Sequence, residues 1–151
     1  MTVKINGEFV NVLIQGNPKI LQTWLSHTAN QTQINTHIVD GKTALSTAVM
    51  FSINAQSHWE RNLRIQCVRL LLDKGANVHQ LNEDGSSCFD LAIQTLEQDH
   101  NQHQAVLDKT SRNQISHLLD CLKFGRRERA FKLNNLKLCN AAFIEKLSRS
   151  D

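Results

Sequence analysis

Three groups of residues in this chain have the types and spacing to do chemistry. Asp99, His100 and His103 lie close together, and His117 and Cys121 are spaced i, i+4, which sets both on one helix face. Either set offers about two metal ligands, whereas a structural zinc site takes four and usually contains a Cys-x-x-Cys pair. No such pair occurs, so the residues read as a solvated polar loop and a helix with an incidental cysteine, and neither metal nor cofactor is expected. Cys88 beside Asp90 brings a thiol to a helix start, a position that lowers a thiol pKa. The two are adjacent in sequence only, so a structural thiol is the preferred reading. Gly-x-Ser-x-Gly, phosphate-loop, His-Glu-x-x-His and dinucleotide fingerprints are all missing. No catalytic residue is assigned, and the chain is expected not to be an enzyme. A dispersed site assembled from distant units is the weakest alternative.

The third group is basic. Lys123, Arg126, Arg127, Arg129 and Lys132 have Phe124 and Phe131 between them, a pattern that suits phosphates of nucleic acid or anionic lipid. Glu128 interrupts the run and the whole chain carries only +3, so a solvated helix face is preferred. Arg126, Arg127, Arg129 and Lys132 remain the alternative anion-binding set.

The elements that would position any of these residues are helices. At 151 residues the chain is the size of one domain, with 40% hydrophobic and 21% charged residues, ordinary for a globular protein. Aromatics are 5% of the chain, so Leu, Ile, Val and Ala must supply the core, as helix-on-helix packing permits. No apolar run approaches the roughly 20 residues that span a bilayer, and Met1 to Val10 lacks the apolar stretch of a secretory signal. Cys67, Cys88, Cys121 and Cys139 have no close pairing and read as reduced thiols in a cytoplasmic setting.

The helices recur. An apolar residue followed three and four places later by two more appears at Leu21/Trp24/Leu25, Val68/Leu71/Leu72 and Ile115/Leu118/Leu119, with 47 residues from each start to the next. A second pattern opens at Asp40-Gly41-Lys42-Thr43-Ala44-Leu45 and again at Asp84-Gly85-Ser86-Ser87-Cys88-Phe89, with Gly75-Ala76-Asn77 between the two. Together these residues resemble the ankyrin repeat, with its Gly-x-Thr-Pro-Leu-His-x-Ala helix start, Val-x-x-Leu-Leu second helix and Gly-Ala-Asp-x-Asn turn. Ala44 and Cys88 replace the usual Pro, and Ser46 and Asp90 the usual His. The spacing exceeds the family's usual length of about 33 residues. The surplus lies at Met50 to Ile65 and over 97–113, where lengthened helices or projecting loops would absorb it.

This predicts an all-α chain, an ankyrin-type helical solenoid with extended helices or inserts and hairpin-like turns. Residues 1–38 form a degenerate first unit, 39–81 and 82–122 two repeats, and 123–151 a helical cap, all within one domain spanning 1–151. Pro18 starts a helix through Leu25, Thr43 and Ser87 cap theirs, Gly75 ends another, and Leu71 and Leu72 bury against the next unit. The resemblance implies a protein partner held on the tips and the inner helix face. The positions that match are Val39, Asp40, Lys42, Met50 and Phe51 in one repeat and Glu83, Asp84, Ser86, Gln94 and Thr95 in the next. Trp59, in the insert, joins Met50 and Phe51 as an apolar anchor. A compositional likeness to ankyrin proteins that intracellular bacteria deliver into host cells adds an effector role as a minor alternative.

Overall fold

The computed structural model describes residues 7–103 and 108–122, without the side chains of 97–103. They are mostly helical, with one small two-stranded sheet. The order is α1 Gly7–Gln15, α2 Pro18–Leu25, α3 Thr28–Gln31, β1 His37–Val39, β2 Lys42–Thr43, α4 Ala44–Ile53, α5 His58–Asp73, α6 Cys88–His103 and α7 Lys109–Cys121. Among the described residues, no helix is long and apolar enough to cross a membrane. The helical cap expected over 123–151 lies outside the described residues.

Local chemistry sets the ends of these helices. Asn17 accepts a bond from the Lys19 N–H at 2.9 Å, and Pro18 occupies the first helical position, where its missing N–H costs nothing. Thr43 caps α4 by accepting from the Ser46 N–H. Ser87 and Asp90 cap α6 reciprocally, each side chain accepting from the other's backbone N–H. At the end of α5, Gly75 takes a φ of 102°; its N–H bonds to Leu72 O and that of Ala76 to Leu71 O, the pairing of a Schellman ending.

Helices α1, α4 and α6 lie side by side in one layer, and α2, α5 and α7 in a second. The three apolar triplets of the sequence fall on α2, α5 and α7, and most of their side chains are buried. Leu72 departs from the expectation: Leu71 is fully buried but Leu72 is only partly covered, because it lies about 100° further round the helix. Helix α4 is enclosed nearly all round, touching α1, α5 and α6, and its Thr47 and Ser52 hydroxyls donate to Thr43 O and Ala48 O. Phe9 of α1 packs on Trp24 of α2 with ring centres 4.2 Å apart.

The surplus sequence is mostly helical where it is described. Helix α4 stops at Ile53, and Ser57 caps a 16-residue α5, so the first insert adds N-terminal turns to that helix. Helix α6 runs on to His103, and Asp108 caps α7.

Candidate interaction surface

The turn before α4 is a two-residue β-hairpin in which Asp40 and Gly41 both take positive φ, 50° and 71°, as a type I′ turn requires. The turn before α6 has no strand pair among the described residues. It closes through Asn82 N–H to Ser86 O at 2.8 Å and Gly85 N–H to Asn82 O at 3.0 Å. The two tips are bonded to each other. Glu83 N–H donates to Gly41 O at 2.8 Å, and Thr43 N–H donates to the Asn82 side chain at 3.1 Å. His37 Nε2 lies 2.8 Å from Leu81 O, which can only accept, so this nitrogen carries the proton; its Nδ1 is 3.8 Å from Glu83. At the Gly75 turn, the Asn35 side chain donates to Gly75 O and accepts from the Asn77 N–H.

This bonding brings part of the expected partner-facing set together. Asp40, Glu83 and Asp84 are exposed along one edge, with Val39, Lys42 and Ser86 half-buried among them. Bonds from the Ser86 hydroxyl and N–H hold the Asp84 carboxyl below the ordinary 3.8, with the Lys42 charge adding to the effect. Gln94 is exposed on α6 and shares a shallow groove with Asp84, Ser86 and Asp90. Thr95 does not belong to this surface. It is 4% exposed and its hydroxyl donates to Leu91 O, because the neighbouring helix position turns towards the core.

Met50 and Phe51 stand apart from the tips, in the last turn of α4, some eight residues or roughly 12 Å along the helix from Lys42. Phe51 is not an open apolar anchor: it packs against the core, with the Arg64 guanidinium 5.3 Å from its ring centre. Met50 is half-buried. Trp59, in the first turn of α5, is 75% exposed.

Two arginines of the first insert carry a role that sequence reasoning did not assign. Arg61 is 6% exposed and donates to Ser52 O, Ile53 O and Ala55 O at the carbonyl end of α4. It also donates to the Ser111 hydroxyl and Gln114 side chain of α7. Arg64 does the same for α1, donating to Leu13 O at 3.1 Å and Ile14 O at 3.0 Å while pairing with Glu60. A cation at a helix C-terminus meets unsatisfied carbonyls and the negative end of the helix dipole. The added turns of α5 therefore hold the far ends of both first-layer helices that precede it. Nothing in the sequence around these arginines separates them from solvent-facing ones.

Beside Arg61, His58 lies 3.0 Å from Asp108, and Gln114 donates to His58 O. The Ser111 N–H bond, then the Ser111 hydroxyl and His58, hold the Asp108 carboxyl below the ordinary 3.8. A depressed folded pKa means that this stabilisation is complete above the unfolded value and disappears as pH falls through the folded one. Chemical denaturation of wild type and Asp108→Asn should therefore differ at neutral pH and converge as the pH falls through the depressed pKa of the folded Asp108 carboxyl. Parallel curves over that range would exclude the contribution.

Burial pushes the Cys67 thiol up to about 11 against the opposing charge of Arg64, which leaves it protonated and unreactive. Cys88 is buried with its sulfur 3.5 Å from Val78 O. His117 and Cys121 do meet, N to S at 3.8 Å, but no group of three metal-ligating side chains forms among the described residues. Cys139 and the basic set Arg126, Arg127, Arg129 and Lys132 lie outside the described residues, as do the side chains of Asp99, His100 and His103. No protein-family model, curated protein or solved structure matches the chain.

Proposed function

We propose that the chain is an ankyrin-type repeat protein that binds another protein without catalysing a reaction. Its binding edge is formed by Asp40 and Lys42 on one tip and Glu83, Asp84 and Ser86 on the next, with Gln94 on the adjoining helix. The observation that carries this reading is the bonding of the two tips, Glu83 N–H to Gly41 O and Thr43 N–H to Asn82, which fixes side chains of separate units in one continuous row. A rigid row of this kind loses little conformational entropy on binding. The recurrence of one apolar triplet on three neighbouring second-layer helices supports the repeat reading. A cytoplasmic working place belongs to the same proposal, supported by the buried thiol of Cys67, which forms no disulfide among the described residues.

The test is affinity purification from cell lysate with wild type and a Lys42→Glu/Glu83→Lys variant, followed by titration of the recovered partner in purified form. Both side chains are at least partly exposed, so the variant should fold normally while its partner affinity drops by about tenfold or more. Undiminished affinity would move the binding site off the tips.

A further inference from the structure

A groove of about 320 Å³ runs between α2 and α5 in the second layer. Helix α2 contributes Lys19 and Gln22, and α5 contributes Gln66, Arg69 and the half-buried Leu70. Asp73 is the single carboxylate in the lining. Unlike Arg61 and Arg64, whose guanidinium groups are occupied by backbone carbonyls, Lys19 and Arg69 are exposed and make no ion pair among the described residues. Helix α2 has no acidic residue in its first turn, so the positive end of its dipole adds to the two cations. The apolar floor also extends beyond the groove. Leu70, Gln66, Leu63 and Trp59 share one face of α5 by helical spacing, and Trp59 lies eleven residues, roughly 16 Å, from Leu70.

We propose that this groove docks an acidic peptide segment of a partner protein, with carboxylates held between Lys19 and Arg69 and an apolar side chain lying on the stripe that ends at Trp59. Charge complementarity selects this occupant: two unpaired cations and a helix N-terminus outweigh one carboxylate, and exposed amides at Gln22 and Gln66 supply donors for peptide carbonyls. The inference is independent of the tip edge, whose exposed Asp40, Glu83 and Asp84 would repel the same segment.

The experiment is fluorescence anisotropy with a labelled helical peptide of about 16 residues carrying Glu on one face and Leu on the other. Its counterpart with every Glu replaced by Lys serves as control. The Glu peptide should bind, more weakly at about 500 mM than at 50 mM salt, and the Lys peptide should not. Lys19→Glu/Arg69→Glu should raise the Kd by about tenfold or more, and Trp59→Ala by a smaller factor. Lys42→Glu/Glu83→Lys on the tips should leave it unchanged. If the first variant melts below wild type by circular dichroism, Lys19→Gln/Arg69→Gln takes its place and should raise the Kd as well. Failure of the Glu peptide to bind, equal binding of the Lys peptide, an unchanged Kd in the groove variant, or loss of binding in the tip variant would each overturn the proposal.

Discussion

Replacing Arg61 by Met is expected to lower the stability of the fold by roughly 3 kcal/mol, as read from the midpoint of a urea titration. The substitution keeps much of the side-chain volume, so the loss is one of hydrogen bonding and charge. Without the guanidinium, Ser52 O and Ile53 O at the end of α4 lose a donor that water cannot readily replace, since both residues are buried. The Ser111 hydroxyl and Gln114 lose their bond as well, so α7 loosens from α5 in the same step. Arg61→Lys keeps the charge but not the planar fork of donors, and should recover less than half of the loss. Arg64→Met should cost only about 1 kcal/mol, because Ile14 O at the end of α1 is open to water. Amide hydrogen exchange in α7 should speed up in Arg61→Met and not in Arg64→Met. Equal stability of the two variants would show that the carbonyl end of α4 rehydrates freely.

Gly41→Val is the second change with a large expected effect, about 2–4 kcal/mol, made up of two parts. A β-branched residue at a φ of 71° is strained in itself. An added Cβ would also sit 2.7 Å from Glu83 Oε2 and 2.9 Å from Glu83 Cβ; the carboxylate can swing aside, but the Cβ moves only with the backbone of the second tip. The bond from Glu83 N–H to Gly41 O is therefore expected to break, and the row of tip side chains to lose its alignment. Gly85→Val separates the two parts, since Gly85 also has a positive φ, 84°, but nothing within 4 Å of an added Cβ. It should cost only the strain, about 1–2 kcal/mol. Thermal melting ranks the two variants, and titration with the partner recovered by affinity purification shows whether alignment matters for binding. If Gly41→Val behaves like Gly85→Val in both, the contact between tips contributes little.

These two positions mark how unevenly the fold can be read from the chain. Gly41 announced itself, because Asp-Gly is a turn signal in which the glycine takes a positive φ, as Gly41 and Gly85 both do. Arg61 gave no sign of its role. An arginine flanked by Glu60 and Asn62 reads as surface, and only the meeting of α4, α5 and α7 makes it the donor that three helices share. The candidate site divides in the same way. Asp40, Glu83 and Asp84 are exposed as their turn chemistry implies, whereas Thr95 and Phe51 were assigned by position in a repeat and are turned inward by packing. Both lie in or beside sequence where this chain is longer than the repeat it resembles.

The sequence alone determined the helix boundaries at Asn17-Pro18, Thr43, Gly75 and Ser87, the spacing of the apolar triplets and the position of both tips. Each of these depends on partners within about five residues, so a short window of chain contains the whole interaction. Only the tertiary structure decided that the first insert lengthens α5, that its two arginines hold the ends of α1 and α4, and which side chains remain open to a partner. Arg61 meets Ser111 and Arg64 meets Leu13 across 50 and 51 residues of chain. No local preference encodes such a meeting; it exists only once the layers have stacked.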